Sequence, residues 1–280
     1  NWVQYRKNHP TMEKIARFFP FILIFFIFKN WFVSPFLSGR DWPHLYKETL
    51  ADLSFPLAVW DPTSGNGLGG ELVNYSLDSY VYFIVWLFVN TIGLPWEFVY
   101  RVFIFGLILV LSVFSSTYLL KRVIKNPNSF QFLLSSLLYS ANTYILMVLD
   151  GGQVGVALAY SLAPLVLARF IKLTHNSGLI TQNSLVAGLV LAVQVMFDLR
   201  IAYLTMGIVL FYTIYHYLFI ERFNLKLYAG RLSLVAFLVL GLHAYWLFPI
   251  VIFRSHPAAE FLSNFSSIEG FRFLSFATFS

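Results

Sequence analysis

The sequence predicts an all-α, polytopic transmembrane helical bundle, and three features carry that prediction. Charge is scarce: 11% of the 280 residues are Asp, Glu, Lys or Arg, against about 25% in an ordinary soluble domain. Aromatic residues are abundant, with 31 Phe, 16 Tyr and 7 Trp, a load that a water-facing surface could not hide. The apolar residues also come in long runs, each near the ~20 residues that cross ~30 Å of hydrocarbon. A soluble domain would alternate apolar with polar at a period of 2 or 3.6.

The runs cover residues 17–36, 98–120, 130–149, 153–171, 180–197, 201–219 and 230–253. Arg6, Lys7, Lys14 and Arg17 accompany the start of the first one, which has no small-residue cleavage site. It therefore reads as a retained helix with its N-terminus in the cytoplasm. Residues 37–78 form the longest polar stretch, a long extracytoplasmic first loop. It holds Arg40, Asp41, His44, Lys47, Glu48, Asp52, Asp61, Glu71 and Asp78, and the turn-rich run from Asp61 to Gly70. The Gly and Pro residues of that run exclude helix or strand interior, and a loop of this length is usually functional.

Residues 80–94 are apolar, but they contain Asn90 and close on Gly93-Leu94-Pro95. At roughly 15 residues they suit a re-entrant or interfacial helix at least as well as a span. If they do not cross, the clusters Lys121-Arg122…Lys125, Arg169…Lys172 and Arg222…Lys226…Arg231 all face the cytoplasm. If they cross, those clusters lie outside. The positive-inside bias favours the first arrangement, with about seven spans. Small residues at Gly151, Gly155, Ala159 and Ala163, and at Ser136 and Ser140, mark close helix packing. Pro164 and Pro249 fall towards one end of their runs, where a kink is tolerated. Residues 1–280 are expected to be a single membrane domain. Opening on Asn1 and stopping at Ser280 inside an aromatic stretch, they are expected to be the N-terminal piece of a longer protein.

Several function classes drop out. With no Cys, disulfide frameworks, thiolate metal sites and Cys nucleophiles are excluded. The net charge of +6 sits in short clusters between apolar runs, as in membrane-protein loops, and does not point to nucleic acid. The run Thr63 to Gly70 lacks the Gly-Lys-Ser/Thr ending of a phosphate-binding loop. The six His are scattered with no zinc spacing.

Three acids remain as candidates for chemistry. Asp41 lies a few residues past the first run, in Ser38-Gly-Arg-Asp-Trp-Pro-His44, where a carboxylate would sit at the membrane surface. Asp150-Gly-Gly-Gln153 forms a tight turn between two runs, and Asp-Gly is itself a turn signal. Asp198-Leu-Arg200 separates two runs with almost no loop, a depth at which charge is costly unless paired or functional. The topology that satisfies the positive-inside bias puts all three on the outer face beside the long loop, and such convergence is a site hypothesis.

These residues resemble a known family. A first helix leading outward into a long loop with an early Asp looks like the membrane-embedded GT-C glycosyltransferases, in the bacterial branch with YfhO-like and arabinofuranosyltransferase-like proteins. Trp60-Asp-Pro-Thr-Ser-Gly-Asn-Gly-Leu-Gly-Gly70…Tyr75 resembles their first-loop run. Leu138-Tyr-Ser-Ala…Asp150-Gly-Gly-Gln…Leu162-Ala-Pro-Leu165 resembles their helix pair joined by a Gly-containing outer turn, and Ala244-Tyr-Trp-Leu-Phe-Pro249 a late Trp-x-x-Pro helix end.

The resemblance implies hexosyl or pentosyl transfer from a polyprenyl-phosphate-linked donor to a cell-envelope glycan, lipid or protein acceptor. The setting would be the outer face of the cytoplasmic (inner) membrane, among membrane lipid. It gives Asp41 the role of base or metal-site residue and Asp150 or Asp198 that of the second acid. Arg40, His44 and Arg200 then bind substrate, the two arginines meeting the leaving phosphate. A divalent metal, Mg or Mn, is the cofactor the family brings with it. Here the chain departs from the pattern, because Asp41 follows Arg40 and has no acidic neighbour. The rival readings are a non-catalytic GT-C-like protein and a transporter or flippase of lipid-linked sugar. A transporter would need broken or charged helices near mid-membrane, whereas these runs read as mostly uninterrupted.

Overall fold

The computed structural model describes residues 10–33, 60–61, 70–71, 77–174, 180–220 and 224–253. The architecture is helical. In chain order come α1 (Pro10–Ile27), α2 (Lys29–Val33), α3 (Leu77–Asn90), α4 (Trp96–Val123), α5 (Ser129–Ser140) and α6 (Thr143–Asp150), then α7 (Val154–Thr174), α8 (Ile180–Phe197), α9 (Leu199–Ile220) and α10 (Leu225–Phe253). A single strand pair among the described residues joins β1 (Trp60–Asp61) antiparallel to β2 (Gly70–Glu71), with Asp61 opposite Gly70. The pair takes the two ends of the glycine-rich run. The helices up to Val239 belong to one compact unit, and a second begins at Leu240, within α10.

Five helices are long and apolar enough to cross a membrane: Trp96–Val123, Ser129–Asp150, Val154–Thr174, Leu199–Ile220 and Leu225–Ala244. The second of these is α5 and α6 together, and α8 is apolar but shorter. Along α9, Leu204, Ile208, Phe211 and Phe219 are all exposed, an apolar face that suits lipid and not water. The expected first span is two helices, parted by a turn at Phe28. Helix α3 has 14 residues, roughly 21 Å of rise, and so falls short of ~30 Å of hydrocarbon. It ends as its sequence predicts: Gly93 takes φ +79° and the Leu94 N–H reaches back to the Phe88 carbonyl at 3.2 Å, with Pro95 following.

Helix α7 is the hub. It is the most buried of the five spans, and Ala157, Leu158, Ala159 and Val166 are wholly enclosed. Pro164 stands at its middle and not towards an end, inside a continuous 21-residue helix. A proline has no N–H to give the carbonyl four residues back, which here belongs to Tyr160. The Tyr139 hydroxyl of α5 donates to that carbonyl at 2.5 Å. The carbonyls on either side are also used: Gln194 Nε2 of α8 donates to Ala159 at 3.0 Å, and Ser115 Oγ of α4 donates to Ser161 at 2.5 Å. Three helices thus attach to three consecutive carbonyls of α7.

The basic clusters meet at one end of this unit. The guanidinium carbons of Arg122 on α4 and Arg169 on α7 lie 5.2 and 4.8 Å from the centroid of the same Tyr118 ring. Arg231 on α10 donates to the Leu173 carbonyl at the end of α7. The short turns at 151–153 and at Asp198 lie at the opposite end, because each joins two helices of a hairpin.

Close packing of α8 on α10 rests on Gly188. A β-carbon there would stand 2.9 Å from Leu238 Cδ1, 3.2 Å from Leu238 Cβ and 3.4 Å from the Val235 backbone. Gly188→Val is expected to cost ~1–3 kcal/mol, the usual scale of overpacking, as a lowered thermal midpoint in detergent. Gly230, with nothing within 4 Å of its would-be β-carbon, should accept Ala with no loss.

Candidate functional site

The end opposite the basic clusters gathers Asp198, Arg200 and Tyr144. Asp198 is the N-cap of α9, its Oδ1 accepting from the Ile201 N–H at 3.0 Å. Arg200, two residues on, donates from Nε and from a terminal nitrogen to Asp198 Oδ2 at 3.1 and 2.8 Å. The side chains differ in exposure, 74% for Arg200 against 10% for Asp198. Tyr144 of α6 lies within electrostatic range of both and is exposed. The ion pair therefore has a structural duty: it fixes the first turn of α9 and satisfies one of its orphan N–H groups.

Asp150 occupies a turn built on backbone rules. Gly152 takes φ +79°, its N–H donates to the Leu149 carbonyl, and the Gln153 N–H donates to Val148, both within 3.0 Å. This is the Schellman arrangement that ends a helix. Asp150 is exposed and, among the described residues, makes no ion pair. Of the six site residues expected from sequence, Asp198 and Arg200 are brought into contact, and Asp150 ends a neighbouring hairpin at the same end. Asp41, Arg40 and His44 lie outside the described residues.

The sequence reading missed a break in the Ser129–Asp150 span. Asn142 is extended, at φ −100° and ψ 165°, and its Oδ1 caps α6 by accepting from the Ile145 N–H at 3.1 Å. Its Nδ2 faces the Leu138 and Tyr139 carbonyls at 3.1 and 2.9 Å and the Tyr160 hydroxyl at 2.8 Å. The Tyr139 and Tyr160 rings stack at 4.5 Å with 2° between their planes, and Tyr160 Oη donates back to the Tyr139 carbonyl at 3.2 Å. Tyr144 packs against Tyr160 at 5.1 Å. An aromatic and amide cluster thus runs from the break towards the Asp198–Arg200 pair. A usable signal was the polar run Ser140-Ala-Asn-Thr143 inside an apolar stretch, since Asn and Ser favour caps over helix interiors.

A second unforeseen residue is Arg101, 7% exposed in a π-helical turn of α4. It donates to the Trp31 carbonyl at 2.8 Å and so holds the last turn of α2. Trp31 also packs on Phe28 and Phe105, at 4.3 and 5.4 Å.

Asp41, to which the family resemblance gives the metal role, lies outside the described residues. No three His, Asp or Glu side chains converge among them, and Asp198 already faces a guanidinium and a backbone N–H. Comparison with protein-family models, with curated proteins and with solved structures finds no match to this chain.

If Asp198 serves α9 as a cap, Asn should replace it and Ala should not. Asp198→Ala is expected to lower stability in detergent by about 1 kcal/mol, and Asp198→Asn to recover most of that loss.

Proposed function

We propose that the protein is a multi-pass glycosyltransferase of the cytoplasmic membrane that takes sugar from a polyprenyl-phosphate-linked donor at its outer face. The observation that carries this reading is the exposed Arg200, held by Asp198 at the end of the bundle opposite the basic clusters, with Tyr144 within its electrostatic range. Arg200 commits two N–H groups to Asp198, and a guanidinium has five, so three are left for a phosphate. The exposed Tyr144 ring at the same end suits a sugar whose apolar face can stack.

In the reaction, the bond between the anomeric carbon and the phosphate oxygen breaks as a bond to the acceptor oxygen forms. The acceptor hydroxyl loses its proton to a carboxylate, and the departing phosphate keeps the electron pair and meets Arg200. Asp198 is poorly placed as the base, because both its oxygens already accept hydrogen bonds. Asp41, in the 37–78 loop beside Arg40 and His44, takes that role in this account, with Asp150 as the other open carboxylate. Metal has no step in it.

The break at Asn142 favours a second reading, movement of a lipid-linked sugar without bond formation, because discontinuous helices are the usual construction of transport sites.

Reconstitution in liposomes with a lipid-linked sugar and, separately, a nucleotide sugar distinguishes these readings. Bond formation from the lipid-linked donor is expected, lowered ~10²–10⁴-fold in Asp41→Asn with membrane insertion unchanged. Transfer from the nucleotide sugar without polyprenol would contradict the proposal. Passage of the donor across the bilayer without transfer would establish the transporter reading.

A further inference from the structure

The end of the bundle with the basic clusters holds a second charged site, unconnected with the one above. Tyr118 and Arg122 lie one turn apart on α4, and the Arg122 terminal nitrogen donates to the Tyr118 hydroxyl at 3.1 Å. Arg169 reaches the same ring from α7, so two cations from two helices share one aromatic ring. Lys121 lies beside them, its Nζ 5.4 Å from the Phe132 ring centroid on α5. The Nε of Arg169 is buried and has no hydrogen-bond partner. Among the described residues, no carboxylate pairs with Lys121, Arg122 or Arg169.

The energetics of this arrangement ask for an anion. A ring quadrupole attracts each guanidinium, but two like charges on one ring repel each other, and among the described residues no carboxylate offsets that repulsion. Depth limits what can supply the negative charge. Arg169 stands five residues before the end of its span at Thr174, and Lys121 and Arg122 are in the last turn of theirs. Five residues are roughly 7.5 Å of helix rise, so Arg169 starts that far inside the end of its helix, from where its long side chain can reach headgroup level. Water-borne acidic proteins reach that level poorly, whereas a lipid phosphate is resident there. Basic pockets between membrane helices commonly hold such headgroups.

We propose that Lys121, Arg122 and Arg169, arranged around Tyr118, bind the phosphate headgroup of an anionic phospholipid in the leaflet at the basic end of the bundle. The terminal N–H groups of the half-buried Arg169 guanidinium meet a phosphate oxygen, and Arg122 closes over the headgroup from the water side. The rings of Tyr118 and Phe132 form its floor.

The test uses the purified chain in nanodiscs of phosphatidylcholine mixed with phosphatidylglycerol, with lipids retained on ejection counted by native mass spectrometry. Phosphatidylglycerol is expected to be enriched over its bulk fraction. Each removed guanidinium should lower the enrichment about fivefold, the weight of one basic residue at a membrane surface, so Arg122→Gln with Arg169→Gln should abolish it. Lys226→Gln, which changes an exposed cation of the same end outside the cluster, should leave it intact. If the double variant does not fold, Arg122→Gln alone decides, since that side chain is exposed. Undiminished enrichment in the Arg122 variant overturns the proposal. So does an equal loss with Lys226→Gln, which would mean diffuse attraction and no site. Displacement of the lipid by millimolar inorganic phosphate would also overturn it, assigning the cluster to a free anion.

Discussion

Pro164 has no N–H to offer, so the most buried helix of the bundle reaches its centre with one carbonyl lacking its own donor. In water that would cost little. In hydrocarbon, an unsatisfied backbone carbonyl costs several kcal/mol, and it must be met from within the protein. Tyr139 meets it. Gln194 and Ser115 add bonds to the neighbouring carbonyls, so α4, α5 and α8 are all registered against one turn of α7. Apolar burial cannot supply such registry, because lipid tails are as apolar as the leucines between these helices, and packing and hydrogen bonds must supply it instead.

The debt is mutual. The span from Ser129 to Asp150 is itself interrupted at Asn142, which leaves the Leu138 and Tyr139 carbonyls without their usual donors, and Asn142 and Tyr160 supply them. Two helices with interrupted ladders thus repair each other through one tyrosine pair stacked nearly in parallel. The eight residues of α6 become a half-helix with its own cap at Asn142 and its own Schellman stop at Gly152. That half-helix carries Tyr144 to the Asp198–Arg200 pair, so the geometry of the polar end is inherited from the break below it. The basic end is organised separately, around Tyr118.

The helical class and most helix ends were legible in the sequence, because run length and the Asp-Gly and Gly-Leu-Pro turns act locally. Gly93 and Gly152 take positive φ where those turns predict, and Arg122 and Arg169 share an end, as two runs joined through an intervening one require. What could not be read was where a ladder is broken and then repaired. Ser140-Ala-Asn-Thr143 is four residues inside an apolar stretch, and its repair comes from Tyr160, which only the folded chain brings near. Pro164 looks terminal in an apolar run that stops at 171, while the helix continues to Thr174. Asp198 reads as a candidate acid, since sequence shows that a charge is present and not that its oxygens are already taken. The candidate site was therefore legible in its residue types at Asp198 and Arg200, but not in their division of labour.

Tyr139 is needed because Pro164 leaves the Tyr160 carbonyl free, and a double-mutant cycle on these two residues is the sharpest test of that dependence. Tyr139→Phe, Pro164→Ala and the double variant would be compared by reversible unfolding in detergent or bicelles. With Pro164 in place, loss of the hydroxyl should cost about 0.6–1.7 kcal/mol, the range for hydrogen bonds between membrane helices. In the Pro164→Ala background the restored N–H satisfies the carbonyl, and the same loss should shrink towards zero, a coupling of at least ~0.5 kcal/mol. Additive effects would contradict the account, since Tyr139 would then stabilise the bundle for reasons unrelated to the proline.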